Sequence, residues 1–143
     1  IITGAGGAFG EVLKNTSLSA FVKTWSNTGD SGSLLVLVII FIIAAVLKSA
    51  QGSSTNAMLL TSSLLAPLII DLGWDSSLQY SLAIMAIGGG AMTISHFNDS
   101  YFWVVSEFSG ISAKDASRSF SLLTGLQGLM ILLLTLICWL IFT

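Results

Sequence analysis

The sequence predicts an all-α transmembrane fold: a re-entrant helical hairpin, then a transmembrane helix broken in its middle, then one uninterrupted final span. Three observations carry this. Of 143 residues, 54% are hydrophobic and only 8% charged, with a mean hydropathy of +0.91. Soluble domains carry about 25% charged residues, so the charges needed to solvate a globular surface are absent. The long apolar runs are interrupted by two polar clusters, "AQGSSTN" and "SHFNDS". The last run, residues 119–142, is long enough to cross a hydrocarbon core of about 30 Å with some tilt.

The elements follow in order. Residues 1–10, Gly-rich and without an initiating Met or basic leader, read as the end of a hydrophobic helix already under way. The chain is therefore expected to be the carboxy-terminal portion of one longer transporter-like membrane domain. Residues 11–25, "EVLKNTSLSAFVKTW", mix Val12, Leu13, Phe21, Val22 and Trp25 with two lysines and several hydroxyls, which predicts an amphipathic helix lying at the interface. A turn cluster, "SNTGDSG", ends it.

Residues 33–70 hold two apolar runs, 33–47 and 57–70. Each is short of a full span at 1.5 Å per residue, and the polar stretch 48–56 joins them. Two sub-span helices with a polar tip predict a re-entrant hairpin; the alternative is two tilted spans with Lys48 snorkelling to an interface. "DLGWDSS" returns to water with Trp74 as anchor. Residues 78–108 read as one crossing broken at 95–100, just after the triple glycine Gly88, Gly89 and Gly90. A hydrophilic loop, "SGISAKDASRS", precedes the final span. Lys114 and Arg118 mark that loop as the cytoplasmic side, and the turns at Asp30 and 71–75 and the C-terminus as the outer side.

The breaks carry the chemistry. Backbone N–H and C=O groups freed in hydrocarbon each cost several kcal/mol, so a broken helix survives only where it is buried in protein or lines a cavity. Both breaks are crowded with hydroxyls and amides, and Gly52 permits the tight reversal at the first. The helix beginning near Asn56 offers free N–H groups and a positive dipole to an anion. Paired breaks at membrane depth are the signature of a secondary transporter's binding site. The expected substrate-binding residues are Gln51, Gly52, Ser53, Ser54, Thr55, Asn56, Ser95, His96, Asn98 and Ser100. Asp99 either shares a helix face with His96 or caps the helix starting near Ser100. Burial disfavours its charged form, which suits a carboxylate that picks up and releases protons, and His96 can tune or relay that proton. Glu107 lies nearer the loop and reads as solvated.

These segments resemble the gluconate permease family. "AQGSSTNAMLLTSSLLAPLI" is similar to its "AQGS-T-A" hairpin, "GGGAMTISHFNDSYFWVVSEFSGIS" to its "SH-NDS-FW-V-E" segment, and "GAGGAFGEVL" to its "GGAF--VL" element. Asn56 stands where the family pattern commonly has a small or apolar residue. The resemblance implies a proton-coupled importer of sugar acids such as gluconate, with relatives carrying other small hydroxylated acids such as D-serine. It implies a multi-pass protein of the inner membrane with two inverted repeats, each a re-entrant hairpin and a broken helix, moving as an elevator on a dimeric scaffold. The N-terminal remainder would supply the first repeat.

Other classes find less support. The net charge of −2 offers no basic patch for nucleic acid. Cys138, alone, cannot form an internal disulfide and reads as a packed or lipid-facing residue. An intramembrane hydrolase would need a nucleophile within reach of His96, and neither a nucleophile elbow nor a second His is present. One His without Cys partners falls short of a transition-metal site, so no metal or cofactor is expected; sodium held by backbone carbonyls stays open. A channel or structural membrane subunit is the remaining alternative.

Overall fold

The computed structural model describes residues 30–143; the expected helix end at 1–10 and the interfacial helix at 11–25 lie outside the described residues. Five helices follow one another: α1 (Asp30–Gln51), α2 (Ser54–Asp71), α3 (Ser77–Met92), α4 (Ser100–Ser109) and α5 (Ala113–Phe142). Two stretches, Leu34–Gln51 within α1 and the whole of α5, are long and apolar enough to cross a membrane, with only 33% and 17% of their residues buried. The core helix of a soluble protein would be mostly buried. Leu122, Leu126, Leu129, Leu133 and Leu140 instead face outwards from α5, a surface suited to lipid or to further protein.

α1 and α2 form an antiparallel hairpin. Val36, Leu37 and Ile40 share a buried cluster with Leu64, Leu65 and Ile69, while Ala44 meets Ala57 nearer the tip. The polar stretch 48–56 does not interrupt helix to the extent the sequence suggests: α1 continues to Gln51 and only Gly52 and Ser53 are non-helical. Lys, Ala and Gln are good helix formers, and the Lys48 charge in the last turn suits the negative end of the dipole. Gly52, at φ 65°, ends the helix by donating its N–H to the Lys48 carbonyl at 2.8 Å, a left-handed cap that glycine adopts without strain.

The turn after α2 brings Trp74 onto Trp139 near the C-terminal end of α5, with ring centroids 4.8 Å apart. Ser76 and Gln79 then form a capping box that starts α3. The triple glycine lies inside α3 rather than closing it. A Cβ on Gly90 would overlap the Phe41 carbonyl of α1 and come within 2.8 Å of the Ala44 Cβ, and one on Gly89 would reach 2.8 Å from Ile131 of α5. In lipid, helices associate through such close approach of small residues. Alanine at Gly90 is accordingly expected to destabilise the full-length protein by about 1–3 kcal/mol, read as a lower melting midpoint in detergent. G88A, with open space around it, is the control that should not.

α5 runs antiparallel to the whole broken unit. Gly128 packs on Thr93, Thr124 on Ser95 and Phe120 on Tyr101. The break thus lies beside the Lys114 and Arg118 half of α5, and the turn at Trp74 beside its C-terminal half. α5 also starts six residues before the expected 119. Ser112 caps it, accepting the Asp115 N–H at 3.1 Å, and Gly110 ends α4 in the left-handed region. The expected loop shrinks to three residues because "SAKD" is itself a helix start, with Asp115 at the positive end of the dipole.

Candidate functional site

The tip of the α1–α2 hairpin and the break between α3 and α4 meet. Lys48, one turn before Gly52, places its Nζ 2.6 Å from Asp99 Oδ2, and the two side chains are 3% and 5% exposed. Ser95 donates its hydroxyl to the same oxygen. Asp99 Oδ1 accepts the Tyr101 N–H at 3.1 Å, so the carboxylate also caps α4. Beside this pair, Asn98 donates its amide to the Ser49 and Ala50 carbonyls at 3.3 and 3.0 Å. Gly52 sits so close to the Asn98 backbone carbonyl that a Cβ would overlap it.

The break between α3 and α4 frees backbone groups that would be costly unpaired in hydrocarbon, and several of them have partners. The Ser95 N–H donates to Thr124 Oγ1 at 3.0 Å, and its carbonyl accepts from the Ser121 hydroxyl. The Phe97 carbonyl takes the Trp103 indole N–H at 2.9 Å. The Asn98 N–H donates to His96 Nδ1 at 3.2 Å, and the Asp99 N–H to the His96 carbonyl at 2.8 Å. Ile94 holds φ 41°, a left-handed conformation that is a genuine outlier for a β-branched side chain. Such strain persists only where surroundings over-determine it, and it clusters at functional sites.

The sequence of this helix-rich chain has relatives among known proteins. The family model described as GntP family permease matches residues 1–141. The chain belongs to the GntP permease family. It is similar to the inner membrane permease YgbN of Escherichia coli (strain K12), 34% identical over 97% of this chain and 29% of that protein. It is likewise similar to a gluconate permease of Bacillus subtilis (strain 168), 34% identical over 86% of this chain and 26% of that one. The high-affinity gluconate transporter of Escherichia coli (strain K12) is 32% identical over the same shares. The chain therefore spans less than a third of the length of these curated relatives. No solved structure matches it.

Within this GntP family chain, the residues singled out in the sequence divide into those the fold joins and those it leaves open. Gly52, Ser95, Asn98 and Asp99 are drawn together as described. Ser53 is half-buried, and its hydroxyl accepts the Asn56 N–H at 3.4 Å, so it caps α2, which starts at Ser54 rather than near Asn56. Gln51, Thr55 and Ser100 are exposed around the junction, and Ser54, Asn56 and His96 are half-exposed. His96 and Asp99 do not share a helix face, because Asp99 is the cap and His96 precedes it in non-helical backbone. The partners of the Asp99 carboxylate are Lys48, Ser95 and the Tyr101 N–H, not His96.

Lys48 is what sequence reasoning missed. Read as the start of the polar stretch at the hairpin tip, or in the alternative as a snorkelling residue, it is in fact buried in the ion pair. The signal was available, since a lysine at membrane depth needs a carboxylate and Asp99 is the acid at the other break. Ser121 and Thr124, which complete the backbone of the break, were equally absent from the expected site. The junction is open rather than enclosed among the described residues. A groove of about 590 Å³ lies behind it, lined by Phe41, Thr93, Ile94, Arg118 and Leu122 among others, and a smaller one of about 300 Å³ lies between α2 and α3. Neither is lined by residues 51–56 or 95–100.

Proposed function

We propose that this chain is part of a proton-coupled importer of a small sugar acid such as gluconate, working in the inner membrane. The observation that carries this is the convergence of the two polar breaks on one buried ion pair, Lys48 with Asp99, in a chain whose relatives include named gluconate permeases. A transporter needs a polar site that is compatible with hydrocarbon, and broken helices supply it only where every freed backbone group has a partner. The hydrogen bond accepted by Thr124 and those donated by Ser121, Trp103 and Asn98 are partners of the kind such a site requires.

In this reading α1 and α2 are a re-entrant hairpin, and α3 with α4 is the broken crossing of the second inverted repeat. The N-terminal remainder of the protein contributes the first repeat, and the assembly is an elevator-type homodimer. Gln51, Gly52, Ser53, Ser54, Thr55 and Asn56 at the tip, with Ser95, His96, Asn98 and Ser100 at the break, surround the cargo. The first-turn N–H groups of α2 face its carboxylate. Asp99 carries the proton, with His96 on the path to water. The Lys114 and Arg118 end of α5 faces the cytoplasm.

Uptake by the full-length protein in proteoliposomes tests this. Gluconate should accumulate when the outside is made acid relative to the inside and should only equilibrate without the gradient. Accumulation unaffected by the gradient would remove proton coupling, and rapid non-saturating passage would favour a channel.

A further inference from the structure

We infer that Lys48 is the cation to which the cargo's carboxylate binds, and that Asp99 must take up a proton before Lys48 is free to receive it. This rests on the transporter reading above and gives it a coupling rule.

The geometry supplies the argument. An ammonium has three donors, yet among the described residues Lys48 donates to Asp99 Oδ2 alone. It is also almost completely removed from solvent. An unpaired buried ion is far less stable than a pair, so Lys48, once Asp99 is protonated, is poised to take another anion. Asp99 is differently placed. Its Oδ1 is occupied by the Tyr101 N–H and its Oδ2 is touched by Ser95 as well as Lys48. A proton on Oδ2 can be donated to the Ser95 hydroxyl while Oδ1 still caps α4, so the carboxyl keeps its position after Lys48 departs. The pair is therefore asymmetric: one member is fixed to the break, and the other stands on the hairpin tip with donors to spare.

The cycle balances in charge. In the empty state the ammonium and the carboxylate neutralise each other. A proton from the outer solution bonds to Asp99 Oδ2, the Lys48 contact breaks, and the cargo carboxylate replaces it. The loaded site is again neutral, with one proton and one monoanion aboard. On the inner side the cargo leaves, the Asp99 proton passes to water, and the ion pair re-forms.

Other ionisable groups do not stand in for Lys48. His96 turns its Nδ1 to the Asn98 N–H. α5 turns Ser121 and Thr124 to the break, while its Arg118 lines the groove behind. α4 brings Tyr101, whose exposed side chain stacks towards Phe120, and the exposed Glu107. The titratable residues of α2 and α3, Asp71 and Tyr80, lie at the far ends of their helices.

The test uses the full-length protein with gluconate as probe, comparing wild type, D99N and K48Q/D99N for binding and for exchange in proteoliposomes. Asparagine caps a helix as well as aspartate, so D99N keeps α4 and mimics the protonated acid. D99N should bind and exchange gluconate with an affinity that no longer changes with pH, and it should fail to accumulate it. K48Q/D99N should bind at least about tenfold more weakly than D99N although its melting midpoint is no lower, since it leaves no unpaired buried ion. Equal binding by D99N and K48Q/D99N, or wild-type pH dependence in D99N, would overturn the inference while leaving the transporter reading in place. Should K48Q/D99N fail to fold, the pH profile of D99N decides alone. No uptake of any sugar acid by the wild type would overturn both.

Discussion

K48Q made alone is expected to lower the stability of the full-length protein by about 3–5 kcal/mol, the range found when one member of a buried ion pair is removed. The loss comes less from the missing attraction than from what stays behind. Asp99 is fixed by its cap to Tyr101 and by Ser95, so it cannot swing out to water, and its charge is left unpaired beside the hairpin tip. The measurement is the melting midpoint in detergent together with the yield of monodisperse protein. Adding D99N should restore most of both, since removing both charges leaves no unpaired ion. K48Q that is as stable as wild type would mean that Asp99 finds another partner in the assembled protein.

G52A is expected to be nearly as damaging by a different route. An L-residue in the left-handed region is strained by about 1–2 kcal/mol, and here the new methyl also overlaps the Asn98 carbonyl. That carbonyl has little room to yield, because the Asn98 side chain is tied back to Ser49 and Ala50 of the same tip. Relief requires the tip and the break to part, which would separate Lys48 from Asp99. G110A is the matched control, with φ 67° but open space around it, so it carries the backbone strain alone. G52A should lose uptake and fall well below G110A in melting midpoint; similar values for the two would show that the contact at the tip gives way without consequence.

Much of the architecture was legible because hydrocarbon makes simple demands. Apolar run lengths and the two polar clusters located the hairpin, the broken unit and the last helix, and the reason the clusters should meet was physical rather than statistical. What remained hidden depended on pairing across sequence. The separation of 51 residues between Lys48 and Asp99 has no local signature, so Lys48 read only as part of the polar stretch 48–56. The same holds for Ser121 and Thr124, whose hydroxyls sit in an otherwise lipid-like run and look like packing residues until Ser95 is placed beside them. The start of α5 was misjudged because the charges of "AKDASRS" suggested a loop, although Ser112 and Asp115 spell out a cap. His96, the most conspicuous residue in the sequence, accepts the Asn98 N–H, a local contact that its spacing from Asp99 did not suggest.

The stitching of Ser95 to α5 reaches further than the bonds themselves. With its N–H held by Thr124 and its carbonyl by Ser121, and with Gly128 lodged against Thr93 just upstream, the discontinuity between α3 and α4 cannot be translated on its own. Any displacement of the ion pair must therefore take α5 along as its passenger.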